Sequence, residues 1–522
     1  MGTQNTWRTV RITVSSVSCI LISWIFLDIT NRIPPSWIAT ITALQFGPAL
    51  IAAMSSIGFT ALGLLFVTLL TLLFGRIYCS HLCPLGTLQD IIIWFRKKNY
   101  KHRSFPFHKT NYFVHYSITV LTIIVTVGGS ALLLDLFEPF SNYGRMLSSL
   151  VRPLFISVNN IVAMLITSTS LFGVAEIPLH GYTVWNVAIP LVFLLILIGL
   201  TVWRGRLFCN LLCPVGGILS LLSRFSLYKI RIQNAECISC GLCERVCRAQ
   251  CIDSEKRTID SAACVGCFDC IGSCPSDGMG YIFQRRSFSS SARTKKEGSD
   301  RRILLLSLST VLIDSTGLQK IVTPSIPLLS GYAEAKTKPV VPPGGRAQEH
   351  FEHHCTACHL CISSCPTHVL QPSFLEYGFA GILQPRMDYN VSYCNYDCTI
   401  CGEVCPTGAI QTLLQQEKKL VQLGKVTFVK EDCIVEVKKK DCGACSEHCP
   451  TKAVKMMPYE GKLFLPQIEN DYCIGCGACE HACPTTPRKA IYITPNAVHQ
   501  TAKKREEKRL EPQEATPKEF PF

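Results

Sequence analysis

Six times along this chain, four cysteines fall within a short stretch, and nothing else in the sequence limits its fold so sharply. The quartets are Cys237/240/243/247, Cys264/267/270/274, Cys355/358/361/365, Cys394/398/401/405, Cys433/442/445/449 and Cys473/476/479/483. They use 24 of the 30 cysteines, so the disulfide framework that such a count suggests in a small secreted chain has few thiols left to build on.

Three cysteines spaced by two residues wrap one corner of a [4Fe–4S] cube, and a distant cysteine takes the fourth iron. In two-cluster ferredoxins that fourth ligand belongs to the neighbouring motif and is followed by proline. For the first pair, one cluster then takes Cys237, Cys240, Cys243 and Cys274, and its neighbour takes Cys264, Cys267, Cys270 and Cys247. Tyr228–Ile232 and Met279–Phe283 bracket them as outer strands. Pro275 follows Cys274, but Arg248 stands where the second proline belongs, and Cys251 is a spare thiol that competes as a ligand. Zinc is the structural alternative for any C-x-x-C; six three-cysteine runs argue against it.

The N-terminal part is of another kind. Four segments reach the roughly 20 apolar residues that a membrane span needs, near Ile12–Ile29, Ile57–Phe74, Tyr112–Leu134 and Tyr182–Val202. Arg8 and Arg11, the cluster Arg96, Lys97, Lys98, Lys101, Arg103 and Lys109, and Arg204 with Arg206 flank them, and basic loops stay in the cytoplasm. The net charge of +14 is thus read as topological, with no nucleic-acid partner. Trp37–Ala53 and Leu154–Val174 are expected to be interfacial or re-entrant. The expected fold class is a membrane α-helical, four-helix domain with α+β ferredoxin-like iron–sulfur domains. Residues 1–225 form the helical domain, 226–285 a two-cluster domain, 286–345 a basic linker, 346–498 a four-cluster domain and 499–522 a disordered tail.

Inside the linker, Arg301-Arg302 precede a short apolar run, Ile303–Ile313, and later Ala333-Glu334-Ala335. That is the anatomy of an export signal of twin-arginine type in mid-chain, matched only in part by the residues after the arginines; the alternative is an ordinary amphipathic linker.

The helical domain holds an internal repeat. Gly75-Arg76-Ile77-Tyr78-Cys79-Ser80-His81-Leu82-Cys83-Pro84-Leu85-Gly86 recurs as Gly205-Arg206-Leu207-Phe208-Cys209-Asn210-Leu211-Leu212-Cys213-Pro214-Val215-Gly216. Cysteines at i and i+4 share a helix face, and proline suits the first turn of the next helix. Cys79, Cys83, Cys209 and Cys213 therefore converge either as a redox or metal site or as two structural turns with buried thiols.

This repeat, four helices and a trailing two-cluster ferredoxin resemble the NapH-type membrane quinol dehydrogenases. Residues 346–498 behind a twin-arginine-like segment resemble the NapG-type four-cluster ferredoxins, so the chain looks like a fusion of the two. Phe137-Glu138-Pro139-Phe140 stands where such proteins often carry an Asp-Pro-aromatic turn. Irregular inner motifs, with Cys394-x3-Cys398 and Cys433-x8-Cys442, resemble the four-cluster subunits of molybdoenzyme systems. That resemblance implies Cys355, Cys358, Cys361 with Cys483; Cys473, Cys476, Cys479 with Cys365; Cys394, Cys398, Cys401 with Cys449; and Cys433, Cys442, Cys445 with Cys405.

The resemblance further implies six [4Fe–4S] clusters and quinol oxidation near the cysteine pairs. It implies an inner-membrane location with the four-cluster domain in the periplasm, and a periplasmic reductase or cytochrome as acceptor. No G-x-G-x-x-G or Walker loop offers a nucleotide site. Two other readings use the same parts: a polyferredoxin that reduces metal during cofactor assembly, and a carrier of electrons from cytoplasmic ferredoxin to quinone.

Overall fold

The computed structural model describes residues 2–55, 59–99, 105–167, 176–177, 179, 183–283, 339–378 and 381–505. The expected export signal at Arg301-Arg302 and the tail after residue 505 lie outside the described residues.

The first half is helical. In order it forms α1 (Gly2–Leu27), α2 (Pro35–Ala43), α3 (Phe46–Ser55), α4 (Phe59–Phe74), α5 (Tyr78–His81), α6 (Pro84–Asn99), α7 (Tyr112–Val127), α8 (Leu132–Phe137) and α9 (Pro139–Met146). A π-helical turn, Leu147–Val151, joins α9 to α10 (Arg152–Thr167), and α11 (Val184–Arg204), α12 (Leu207–Leu211) and α13 (Pro214–Ser223) follow. Prolines 35, 84, 139 and 214 sit in first turns, where a missing N–H costs nothing.

Among the described residues three helical stretches are long and apolar enough to cross a membrane: Thr6–Leu27, Pro139–Ile166 and Val184–Arg204. The α2–α3 pair, bent by 99°, adds a fourth if it counts as one span, and fits the re-entrant expectation for Trp37–Ala53. Two other expectations need correction. The segments near Ile57–Phe74 and Tyr112–Leu134 form helices of only 16 residues. Of Leu154–Val174, expected at the interface, residues 168–174 lie outside the described residues, and the part up to Ile166 belongs instead to the long Pro139–Ile166 stretch. Its first half was masked in the sequence by Ser141, Asn142, Arg145 and Ser148, all of which are buried in the bundle. Glu138 opens this stretch as a buried N-cap, accepting from the backbone N–H groups of Phe140 and Ser141.

Beyond the bundle, β1 (Tyr228–Ile232) pairs with β4 (Met279–Phe283) as the bracketing strands expected for a ferredoxin unit, around a small hairpin of β2 (Ile252–Asp253) and β3 (Thr258–Ile259). The second unit repeats the plan. One hairpin pairs β5 (Leu370–Pro372) with β6 (Pro385–Met387). Another pairs β8 (Val454–Pro458) with β9 (Phe464–Ile468). Between them β7 (Val421–Phe428) pairs with β10 (Ile491–Thr501). The unit reaches past the boundaries expected for it, from the Val340–Met387 bridge through Thr501.

The two ferredoxin units cap opposite ends of the bundle. At the start of α1, Trp7 packs 5.8 Å from Phe268 and Arg8 pairs with Asp269 at 3.5 Å. At its other end Phe26 packs on Gly144, whose α-carbon faces the Cys358 carbonyl so closely that a Cβ would stand 2.6 Å from it. Helix α11 runs the other way: Trp185 at its start stacks on Phe374 at 4.6 Å, and just beyond its end the N–H of Arg206 donates to Arg248 O at 3.0 Å.

The attachment of the two-cluster unit is ionic. Asp90 is paired with Arg11 at 2.7 Å and with Arg206 and Arg248 at 2.8 Å each, while Asp269 takes Arg248 at 2.6 Å. Arg248, standing where a proline was expected, thus helps tie this unit to the bundle.

Candidate iron–sulfur centres

Four of the six motifs share one backbone device. Two and four residues after the first cysteine the chain turns left-handed: Ser239 and Gly241, Gly266 and Phe268, Ala357 and His359, Gly475 and Gly477 all have φ between 48° and 79°. Alternating left- and right-handed residues curl the backbone so that successive N–H groups face one concavity. Two of those N–H groups reach the first cysteine's own sulfur, Ala357 N to Cys355 Sγ at 3.4 Å and Gly475 N to Cys473 Sγ at 3.3 Å. The motifs beginning at Cys394 and Cys433, whose spacings are irregular, lack this alternation.

In the first unit, Cys237, Cys240, Cys243 and Cys274 line one hollow, and Cys247, Cys264, Cys267 and Cys270 line the next. The second unit groups its cysteines otherwise than the resemblance implied. Cys365 lines a hollow with Cys394, Cys398 and Cys401, and Cys483 lines one with Cys433, Cys442 and Cys445. Cys405 stands against Cys355, Cys358 and Cys361, each of which feels its charge. Cys449 does the same for Cys473, Cys476 and Cys479.

Consecutive motifs therefore exchange their fourth cysteines, and the outer-with-outer, inner-with-inner arrangement is corrected. The cause lies in the hairpins. β5–β6 lies between the first and second motifs and β8–β9 between the third and fourth, so each short antiparallel turn folds a motif back on its sequence neighbour. β2–β3 does the same in the first unit.

These hollows suit a cube better than a lone ion. Among the described residues no three His, Cys, Asp or Glu side chains close on one point tightly enough to hold a metal ion. Thiolates around four irons at alternate corners of a cube stand farther apart than those around one zinc. Burial pushes the thiols of Cys267, Cys358, Cys445 and Cys476 up to about 12. A thiolate there requires added positive charge, which iron supplies.

A contact not read from the sequence accompanies the fourth cysteines. Each hydroxyl two residues on lies against the sulfur: Ser276 at 3.8 Å, Thr367 at 3.7 Å, Thr407 at 3.6 Å, Thr451 at 3.7 Å and Thr485 at 3.1 Å. The signal was present as Cys-Pro-Thr or Cys-Pro-Ser. The exception is Cys247, followed by Arg248-Ala249, and there the buried Cys251 brings its own sulfur to 3.6 Å. The spare thiol occupies the hydroxyl's place.

Cys355-Thr356-Ala357-Cys358-His359 also spells the C-x-x-C-H of c-type haem attachment, against the expectation that the chain holds no such motif. Here both cysteines turn toward Cys361 and Cys405, and His359 Nε2 bonds to the carbonyl of Leu383 at 2.9 Å.

The second unit is a file. Its Cys355 group lies on the bundle; Cys361 feels Cys401 of the next group. Cys394 N donates to Cys476 O at 3.0 Å, and Cys479 feels Cys445 of the last group.

At the other end of the bundle, Cys79, Cys83, Cys209 and Cys213 are all buried, and each lies within electrostatic range of the other three. Cys209 donates to Gln89 Oε1 at 3.1 Å, and Cys213 Sγ accepts from Gly216 N at 3.2 Å. The loops that carry them touch the first unit directly. Arg76 donates to Ala262 O at 2.9 Å, Ser80 to Gly266 O at 3.2 Å and Asn210 to Ala263 O at 3.3 Å.

Comparison with known proteins agrees with these centres. The family described as "4Fe-4S binding domain" matches residues 57–102, 186–233 and 399–423, and that described as "4Fe-4S dicluster domain" matches 354–409 and 439–486. An uncharacterized protein of Methanocaldococcus jannaschii is 27% identical over 236 residues, 44% of this chain and 83% of that one. The methylamine utilization ferredoxin-type protein MauN of Methylobacillus flagellatus is 26% identical over 174 residues, 33% of this chain and 48% of its own. The ferredoxin-type protein NapF of Escherichia coli is 29% identical over 79 residues, 15% of this chain and 43% of its own. This chain thus covers less than half of either named ferredoxin-type protein. No solved structure matches. The chain carries ferredoxin-type [4Fe–4S] domains and is an iron–sulfur electron-transfer protein, and among the described residues three of its helices are long and apolar enough to cross a membrane.

Proposed function

We propose that this chain oxidises a membrane quinol and passes the electrons through its [4Fe–4S] clusters to a partner outside the membrane. The observation that carries the reading is the file of four thiol groups leading from the bundle to the far end of the second unit. A chain of centres anchored on a membrane domain at one end suits delivery of electrons away from the lipid.

The ligand sets would be the six groups the structure brings together. When bound, the clusters supply one-electron steps. The protein's own part is to fix their order, to direct N–H and O–H groups at the sulfurs and to keep water out. Oxidation of one quinol gives one quinone, two protons and two electrons, which leave singly along the file.

The arrangement matches the likeness to NapH- and NapG-type proteins, with a periplasmic reductase or cytochrome as acceptor and a bacterial inner membrane as the setting. Arg8, Arg11, Arg204 and Arg206 gather at the end capped by the first unit, which the positive-inside rule makes cytoplasmic. The second unit then faces outward. Cys79, Cys83, Cys209 and Cys213 link the first unit to the bundle as a redox-active group.

The test is anaerobic addition of quinol to the purified protein, followed by EPR. Reduced-cluster signals should grow with quinol consumed. Clusters that dithionite reduces but quinol leaves oxidised would overturn the reading.

A further inference from the structure

Most of the fourth cysteines lead into the same turn. Three residues after five of them the backbone is left-handed: Gln250, Asp277, His368, Gly408 and Lys452 have φ between 53° and 74°. The turn brings the next residue back over the sulfur, and Ala453 donates its N–H to Cys449 Sγ at 3.2 Å. The residues at that place are Cys251, Gly278, Val369, Ala409 and Ala453. Of these side chains, only that of Cys251 can bind iron.

Cys251 fills the place with a sulfur 3.6 Å from Cys247 Sγ, and Cys264 on its other side feels its thiol as well. It lines one hollow with Cys247, Cys264, Cys267 and Cys270. Five thiols thus surround a centre that needs four. Two sulfurs on one tetrahedral metal stand roughly 3.8 Å apart, given metal–sulfur bonds of ~2.3 Å. Cys251, buried like Cys247, is within reach of the iron that Cys247 would hold.

The three residues between these thiols are given over to the bundle. Arg248 O accepts from Arg206 N at 3.0 Å, Ala249 O from Asn210 Nδ2 at 3.5 Å, and Gln250 O from His108 N at 3.2 Å. Gln250 Nε2 donates to Pro106 O at 2.9 Å. After the other fourth cysteines a proline and a hydroxyl residue occupy this stretch. Here both are exchanged for contacts with the bundle, and Cys247 is the fourth cysteine most exposed to any shift at that junction.

We propose that Cys251 is a reserve ligand for the iron held by Cys247, so that this centre carries one thiol in excess. In the exchange, the bond from iron to Cys247 Sγ breaks and one to Cys251 Sγ forms. The proton of the Cys251 thiol passes to Cys247 across the gap, and no electron moves. The stretch between them can then follow the bundle without releasing iron. The inference concerns the cluster alone and stands apart from the quinol reading.

The test compares full-length variants, prepared anaerobically in detergent, by iron analysis and by EPR after dithionite. Cys274→Ala, in a centre lined by four cysteines only, should lose about 4 iron atoms per chain. Cys247→Ala should lose none, with the g values of one centre shifted. Cys251→Ala should lose none either, whereas Cys247→Ala with Cys251→Ala should lose about 4. Loss of about 4 from Cys247→Ala alone overturns the reserve role, as does full iron in the double variant. If Cys247→Ala does not accumulate, Cys247→Ser decides, measured with and without Cys251→Ala. Less iron in the double variant supports the proposal, and equal iron overturns it.

Discussion

Arg76 donates to the carbonyl of Cys209 at 2.9 Å, and Arg206 donates to the carbonyl of Cys79 at 2.7 Å. Each copy of the membrane repeat is held by the arginine of the other. The repeat's last glycines belong to the same lock. A Cβ on Gly86 would stand 2.1 Å from Cys79 O and 2.8 Å from the Arg206 guanidinium; one on Gly216 would stand 2.3 Å from Cys209 O and 3.0 Å from that of Arg76.

Gly86→Ala and Gly216→Ala should therefore each cost about 1–3 kcal/mol, the usual range for overpacking a filled interior. Gly199→Ala in α11, where a Cβ meets nothing within 4 Å, should be neutral or stabilising. Thermal unfolding in detergent separates them.

Asp90 is the second test. Burial pushes its carboxyl up, but Arg206, Arg248 and Arg11 outweigh that and hold it at about 2 against the usual 3.8. Its folded-state value is depressed, so its contribution is complete above about pH 4 and is lost as pH falls toward 2. Asp90→Asn leaves buried Arg206 without a carboxylate and leaves Arg11 and Arg248 with Asp269 alone, a loss in the ~3–5 kcal/mol class of broken buried pairs. Limited proteolysis should then release a fragment containing residues 226–283 at pH 7, and from the unaltered protein only below about pH 4.

Iron content tests the cysteine grouping. Six filled quartets give about 24 iron atoms per chain. Cys361→Ser with Cys405→Ser strikes one centre here and should remove about 4 of them. Cys405→Ser with Cys445→Ser strikes two and should remove about 8. The outer-with-outer, inner-with-inner arrangement predicts the reverse for these two pairs.

The hydroxyls beside the fourth cysteines should tune potential, since hydrogen bonds to sulfur favour the reduced, more negative cluster. Thr367→Val should lower one cluster's midpoint by roughly 20–60 mV, the one-electron equivalent of ~0.5–1.5 kcal/mol for a hydrogen bond. Cys251→Ala should do the same for the centre that includes Cys247. Redox titration followed by EPR reads both; unchanged midpoints would make these contacts mere packing.

For the membrane cysteines, the expected outcome divides the molecule. Cys79→Ser with Cys83→Ser should abolish quinol-driven reduction of the first unit's clusters. Reduction of the second unit by quinol, and of both by dithionite, should survive. If the first unit responds normally, the four thiols are structural.

The cysteine quartets and the strands Tyr228–Ile232 and Met279–Phe283 were legible because ligand spacing is local chemistry written directly in the chain. The partners within the second unit were not. They depend on hairpins such as Leu370–Pro372 with Pro385–Met387, too short to leave a periodic signal. The span Pro139–Ile166 was hidden for a different reason. Hydropathy cannot distinguish a polar residue facing lipid from one, like Asn142 or Arg145, facing protein. Arg248 looked like a flaw in a motif until Asp90 and Asp269 were seen beside it.

The crossed arginines have a consequence for damage. A contact in which residue i of one copy grips residue j of the other, and the reverse, is the pattern of an isologous interface, here closed within a single chain. Each arginine answers to the opposite copy, so a lesion in either copy of the repeat loosens both.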